Sequence, residues 1–152
     1  MRKLIILGFA LFLTPALFAQ QTPTEAIKQT INTMFDAMRK GDSTLLRSVL
    51  AKDVELQSIS ADKMGKVSVS TSSGNDLVTA VGTPHTAAYD ERIVFGGIKI
   101  DGMLASVWAP AKFYLGDTFD HCGVDFFQLA NTGDGWKIIH LAYSVRKDNC
   151  KN

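Results

Sequence analysis

The sequence predicts an α+β domain in which N-terminal helices pack on one face of a strongly curved antiparallel sheet. Apolar residues recur at helical spacing within residues 23–50, and they alternate with a period of two after Pro84. Turn sequences at Asp101-Gly102, at Gly116-Asp117 and in the 131–135 loop divide this second region. Helices followed by a strand meander are typical of an α+β domain.

The composition indicates one ordinary globular domain. The chain has 152 residues, of which 46% are apolar and 20% charged, and its formal net charge is +1. This balance excludes intrinsic disorder. Because the net charge is close to zero, the chain has no basic footprint for nucleic acid, and we expect no nucleic-acid partner.

The N-terminus resembles a secretory signal peptide. Arg2 and Lys3 precede an apolar run that Thr14-Pro15 interrupts, and Ala19 offers a small residue for cleavage. We therefore predict that residues 1–19 are removed and that residues 20–152 form the mature domain, exported to the periplasm or secreted. The alternative is a retained anchor, but the apolar run is shorter than the ~20 residues that span a membrane.

Two cysteines, Cys122 and Cys150, remain after this cleavage. In an oxidising compartment such a pair normally forms a disulfide, which we favour over a reactive thiol because the two cysteines lack redox spacing.

The histidines His85, His121 and His140 share no metal-ligand spacing. We therefore predict neither a metal site nor a cofactor.

The first helix is predicted to begin at Pro23. Thr22 can cap it, Glu25 completes a capping box, and Lys40-Gly41 ends it.

Two shorter helices follow. Asp42 or Ser43 caps the second, and the turn residues 72–75 cap the third, which Gly82 and Pro84 end. Strands are predicted at residues 54–59, 67–71, 91–100, 103–115, 118–130 and 136–146.

Hairpin register predicts which strand residues share a face. A two-residue turn at Gly116-Asp117 places Trp108 opposite Asp125, and pairing Phe127 with Ile139 places Asp125 opposite Leu141. A one-residue slip would exchange the faces. Both faces are apolar, so we expect helices on one and a second subunit on the other. One face is predicted to carry Phe95, Trp108, Tyr114, Phe119, His121, Asp125, Phe127, Ile139, Leu141 and Tyr143.

Three segments carry a family resemblance: residues 90–93 (Asp-Glu-Arg-Ile), 105–110 (Ala-Ser-Val-Trp-Ala-Pro) and 121–125 (His-Cys-Gly-Val-Asp). In this order they resemble the nuclear transport factor 2-like superfamily, and within it the putative lumazine-binding subgroup, whose name is not an established activity. The resemblance implies a cone-shaped, cystatin-like fold, a pocket between helices and sheet, and a homodimer formed through the sheet. Ala111 stands where relatives often carry a tyrosine.

The favoured function is non-catalytic binding of a small, partly apolar molecule in the cone. The alternative is an isomerase, dehydratase or hydrolase in which Asp125 acts as the base and shares a proton with His121. Asp125 could instead be satisfied structurally by His121, Lys112 or a backbone amide. A third class is a purely structural or protein-interaction role. The predicted ligand-binding residues are Phe95, Trp108, Tyr114, His121, Asp125, Phe127 and Tyr143.

Overall fold

A computed structural model describes residues 21–150, so the predicted signal peptide lies outside the described residues. Its helices are α1 (Pro23–Lys40), α2 (Ser43–Val49) and α3 (Gly74–Gly82). Its strands are β1 (Leu50–Ala61), β2 (Val67–Ser73), β3 (Tyr89–Ile93), β4 (Gly97–Asp101), β5 (Leu104–Leu115), β6 (Thr118–Asn131) and β7 (Trp136–Val145).

The ends of α1 are determined by local chemistry, as the sequence predicts. The Thr22 hydroxyl accepts a hydrogen bond from the Glu25 backbone N–H at 3.3 Å, which satisfies one of the free donors of the first turn. The predicted capping box is not completed, because the Glu25 carboxylate accepts from the Lys28 ammonium at 2.9 Å rather than from the Thr22 backbone. Gly41 ends the helix with a φ of 67°, a left-handed conformation that glycine adopts without strain. The apolar stripe between these ends is buried against the sheet.

The shorter helices are also capped by side chains. Asp42, rather than Ser43, caps α2 by accepting from the Leu45 backbone N–H at 2.9 Å. Ser73 caps α3, and the Asp76 carboxylate accepts a hydrogen bond from the Ser73 backbone N–H, which completes a capping box.

The strands form one curved sheet in the order β2-β1-β7-β6-β5-β3, and β4 pairs with the other half of β5. All neighbours are antiparallel except β1 and β7, which run parallel. The predicted strand 91–100 is two strands, β3 and β4. The chain bends between them at Gly96, where an added Cβ would lie 3.1 Å from the Trp108 carbonyl oxygen and 3.3 Å from Pro110.

The predicted register of β5 against β6 was wrong by one residue. Leu115 pairs with Thr118 as expected, but the register shifts between Phe113 and Tyr114, so Asp120 has no partner. Beyond this bulge Trp108 pairs with Phe126, not Asp125. One extra residue reverses the alternation of a strand, so Trp108 and Tyr114 lie on the face opposite His121, Asp125 and Phe127.

The predicted register of β6 against β7 was wrong by two residues. Phe127 pairs with Leu141, not Ile139, and Asp125 pairs with Tyr143. A shift of two keeps Asp125, Phe127, Leu141 and Tyr143 on one face as expected. The register shifts again between Gln128 and Leu129, so Ile138 rather than the predicted Ile139 pairs with Leu129 and is fully buried.

The core lies between α1 and the inner face of the sheet. Small side chains of β5, among them Ala105, Val107 and Ala109, are buried beneath the helix, and Phe35 meets Phe127 edge-on with ring centroids 6.0 Å apart. The outer face is open, and Trp108 there is 54% exposed.

The predicted disulfide between Cys122 and Cys150 is present, with the two Cα atoms 5.8 Å apart. It ties the segment after β7 to β6, where the backbones of Cys122 and Arg146 exchange two hydrogen bonds of 2.9 Å.

No helix in residues 21–150 is long and apolar enough to cross a membrane. The same residues contain no group of three or more histidine, cysteine or acidic side chains placed to hold a metal ion.

Removal of the disulfide is predicted to destabilise the domain. The bond closes a sequence separation of 28 residues. The double variant Cys122→Ala/Cys150→Ala should lose about 3 kcal/mol of unfolding free energy, because its unfolded chain regains the entropy of that loop. Urea denaturation measures this loss, and reduced wild-type protein is the control. Equal unfolding midpoints for the oxidised wild type and the variant would contradict the prediction.

Candidate functional site

A cavity of about 280 Å³ opens between α1, α3 and the inner face of the sheet. Its apolar wall is formed by side chains of α1, α3 and the facing strands: Met34, Phe35, Met38, Leu56, Leu77, Phe113 and Leu141. Its polar lining is sparse and comes from β3, β6 and β7: Tyr89, Glu91, His121, Asp125, Tyr143 and Ser144.

Small residues on neighbouring strands leave room for this cavity. Ala111 of β5 pairs with Gly123 of β6, and both line the cavity floor. Gly123 is required by close approach, because an added Cβ would collide with the carbonyl oxygen of Ser144. The sheet therefore has no bulky side chain at the point where β6 and β7 separate.

Asp125 is the deepest polar group of the cavity. It lies in the middle of β6 between Ala109 and Tyr143, and it is only 7% exposed. No hydrogen bond or ion pair joins its carboxyl to another of the described residues, so neither His121 nor a backbone amide satisfies it. Burial, and then the nearby Glu91, raise the pKa of Asp125 well above its usual range. Burial therefore favours the neutral acid, which is the form that can donate a hydrogen bond.

Glu91 is a second carboxyl in the same cavity. Burial raises its pKa to about 7, and the neighbouring charge of Asp90 acts in the same direction. Strand alternation separates the two neighbours, since Glu91 lines the cavity while Asp90 accepts hydrogen bonds from Arg39 at 2.8 Å and Arg92 at 2.7 Å. Although burial acts to raise the pKa of Asp90, these two arginines outweigh it and lower that pKa.

Tyr143 is a neutral donor beside Asp125. Burial raises the pKa of its phenol; the Ser58 side chain opposes this shift, and the charges of Asp125 and Glu91 add to it. A phenol that stays protonated can donate a hydrogen bond to a bound molecule.

His121 lines the cavity but is not paired with Asp125. Its Nδ1 lies 2.7 Å from Oδ2 of Asp120, and its ring packs 5.0 Å from that of Phe113. Four residues of extended strand separate Cα atoms by about 13 Å, so a direct His121–Asp125 hydrogen bond is out of reach. The shared proton expected between these two side chains is therefore not supported by the geometry.

The remaining predicted binding residues lie away from the cavity. Phe127 is fully buried in the core, and Phe95 packs partly buried against that core with the Lys28 ammonium 5.9 Å from its ring. Trp108 packs beside Phe126, and Tyr114 packs against Phe119 and Arg92. Trp108 and Tyr114 are on the outer face because of the one-residue register slip described above.

Glu91 is the functional candidate that sequence reasoning missed. The signal was present in the pattern, because Glu91 alternates with Tyr89 and Ile93, which places an acidic residue on an otherwise apolar strand face. Tyr89, Phe113 and Ser144 also line the cavity but were not predicted to do so. Ser144 lies just beyond the last β6–β7 pair, where the two strands separate.

Comparison with known proteins identifies relatives of the same fold. The family model described as "Putative lumazine-binding" matches residues 22–144. A search among curated proteins finds no relative.

Solved structures of similar shape include an NTF2-like protein of unknown function from Shewanella baltica, with 17% identity, 82% of this chain and 94% of that chain covered, and a TM-score of 0.61. Another from Shewanella oneidensis has 19% identity, 81% and 99% coverage and a TM-score of 0.62. An NTF2-like protein with a cystatin-like fold from Novosphingobium aromaticivorans has 14% identity, 84% coverage of each chain and a TM-score of 0.65. At these identities the structures show the fold alone.

Substitution of Asp125 by asparagine is predicted to stabilise the domain at alkaline pH. A carboxyl whose folded pKa is raised stabilises the fold below its unfolded pKa, near 3.8, and this contribution is lost as the pH rises through the folded pKa. At pH 8 the variant should therefore unfold with a free energy at least about 1.4 kcal/mol above wild type, the equivalent of one pKa unit. The advantage should shrink toward pH 5.

Urea denaturation across this pH range checks the prediction. Asp134→Asn, in an exposed loop, is the matched control and should show no such pH-dependent gain. A pH-independent difference between Asp125→Asn and wild type would show that the carboxyl does not ionise at a cost.

Proposed function

The chain belongs to the putative lumazine-binding family, and from that premise we propose that it binds a small, partly apolar ring molecule in the cavity beneath α1. The observation that carries the proposal is the cavity itself, about 280 Å³ with an apolar wall and few polar groups. An engineered cavity of about 150 Å³ holds benzene, so this volume suits a molecule of roughly two fused rings.

The polar groups of the cavity suit a ligand that carries hydrogen-bonding atoms on its rim. Asp125 as a neutral acid and Tyr143 as a neutral phenol can both donate to a carbonyl oxygen or a ring nitrogen. Both groups are presented from adjacent strands of the sheet, so their positions are held by the backbone ladder. Binding therefore needs little rearrangement of the site.

A filled cavity is predicted to abolish binding. Ala111→Tyr places a phenol ring at the cavity floor, while Ala61→Tyr adds the same ring at an exposed position and is the matched control. Native mass spectrometry of protein from its source cells should show extra mass on wild type and on Ala61→Tyr, but not on Ala111→Tyr. Wild type that carries no extra mass and does not bind the neutral probe 2-naphthamide would contradict the proposal.

Export is part of the same proposal. The disulfide supports an oxidising compartment. The denatured mass from the same experiment reports the N-terminus, and an exported chain should begin at Gln20.

Catalysis by the two carboxyls of the cavity, Asp125 and Glu91, is the second candidate. The specific observation that favours it is that the Glu91 pKa lies near 7, which suits a general acid or base, while Asp125 shares its cavity. The reaction would be an isomerisation, dehydration or hydrolysis of the bound molecule. If the natural ligand changes mass or structure on incubation with wild type but only binds to Asp125→Asn, the protein is an enzyme.

We also propose a homodimer formed through the outer face of the sheet. This face exposes large apolar side chains that are unusual on a monomer surface, among them Leu104, Trp108 and Phe119.

Trp108→Lys is predicted to separate the dimer, because it places a charge in the apolar patch. Light scattering after gel filtration should give twice the mature mass for wild type and the single mass for the variant. Val67→Lys is the control, since Val67 is 63% exposed but lies on β2 at the far edge of the sheet. A wild-type monomer at micromolar concentration would contradict the proposal.

A further inference from the structure

We propose that the ligand is a flat cyclic base bound as its cation, with an amidinium, a guanidinium or a protonated ring nitrogen held by Asp125 and Glu91. This inference rests on the proposed binding function and names the charge and chemical class of the molecule that it requires. It follows from three features of the cavity: its uncompensated carboxyls, the positions of the nearest arginines, and its aromatic wall.

The carboxyls of the cavity have no positive partner. Asp125 has none among the described residues, and the charge that acts on the pKa of Glu91 belongs to another carboxylate, Asp90. No lysine or arginine occurs among the described residues that line the cavity. An anionic ligand would therefore meet repulsion and no counter-charge, whereas a cation would supply the missing partner.

The two arginines that bind Asp90, the residue next to Glu91, do not line the cavity. Arg39 and Arg92 both bind the carboxylate of Asp90, and the guanidinium of Arg92 also lies 4.0 Å from the ring centre of Tyr114 on the outer face. Asp90 thereby holds the positive charges outside the cavity.

Aromatic rings form part of the cavity wall. Phe35, Tyr89 and Phe113 line it from α1, β3 and β5, and His85 stacks on Tyr89 with ring centres 4.2 Å apart. Aromatic faces attract cations and also stack on flat rings. The wall therefore favours a planar cation over an aliphatic one.

Binding of a cation must release a proton from the site. A neutral carboxyl loses its proton to solvent, and the carboxylate that forms pairs with the cation. Affinity should therefore rise with pH until the carboxyls are already ionised in the free protein, a window that extends up to about pH 7 for Glu91. The cavity side chains from α1 and α3 are not titratable. The titratable groups that face Asp125 across the cavity are Glu91 and Tyr89 of β3, His121 of β6 and Tyr143 of β7.

Three isosteric probes test the charge directly: 2-naphthamidine as the cation, 2-naphthamide as the neutral form and 2-naphthoate as the anion. Titration calorimetry at pH 7 should give binding of the amidine at least about tenfold tighter than that of the amide, with the acid weaker still. Between pH 5 and 7 the affinity for the amidine should rise by up to about tenfold per pH unit for each proton released. Buffers of different ionisation enthalpy count those protons.

Two variants locate the charge in the cavity. Asp125→Asn and Glu91→Gln keep the size of each side chain and should each weaken amidine binding by about tenfold, while amide binding changes by less than about threefold. Asp134→Asn should change neither. Two carboxyl variants on different strands keep the test usable if one of them folds poorly.

The outcomes separate this inference from the proposed function. Amide or acid that binds as tightly as the amidine, and is excluded by Ala111→Tyr, overturns the cationic ligand but leaves ligand binding supported. An amidine affinity that is insensitive to pH and to both carboxyl variants also overturns it. Failure of all three probes to bind contradicts the inference, and the native mass of the source protein then decides the proposed function independently.

Discussion

The pairing of β5 with β6 is the constraint on which the site depends. The bulge at Asp120 shifts this pairing by one residue, so the small side chains of β5 face α1 while Trp108 and Tyr114 face outward. With the unshifted register, bulky aromatic rings would occupy the volume beneath the helix. A single unpaired residue near a hairpin turn therefore decides whether the domain has a cavity.

Asp125 lowers the stability of the fold at its buried position in β6. A carboxyl in the middle of a buried strand, without a hydrogen-bond partner among the described residues, loses its hydration and gains nothing in return from the protein. A hydrophobic residue at this position would stabilise the fold. Positions that break a local rule in this way are where function is expected, because the missing partner can be supplied by a ligand.

Local features of the fold could be predicted from the sequence, and long-range features could not. The caps at Thr22, Asp42 and Ser73 depend on residues three positions away, so each was recognisable in the chain. The register of β5 against β6 depends on the bulge at Asp120, and no turn sequence indicates where that bulge lies. The Cys122–Cys150 pairing was predictable because the sequence has two cysteines and therefore one possible pair.

The candidate site was partly predictable for the same reason. Asp125, His121 and Tyr143 were found because β6 and β7 kept their predicted faces, whereas Trp108 and Tyr114 depended on the slipped hairpin. Phe95 lies at the bend between β3 and β4, which the sequence analysis treated as one strand. The parallel pairing of β1 with β7, which closes the sheet beside the cavity, joins segments about 85 residues apart and left no local pattern in the chain.

The short segment from Asp90 to Arg92 links the stability of the fold to the chemistry of the cavity. Strand alternation directs Asp90 toward Arg39 of α1, which fastens the edge strand to the helix, and directs Glu91 into the cavity. Asp90, which fastens the edge strand to the helix, therefore pairs with both arginines. Glu91, which lines the cavity, pairs with neither of them. The two adjacent residues therefore have separate roles, since Asp90 makes the edge contact with the helix and Glu91 lines the cavity.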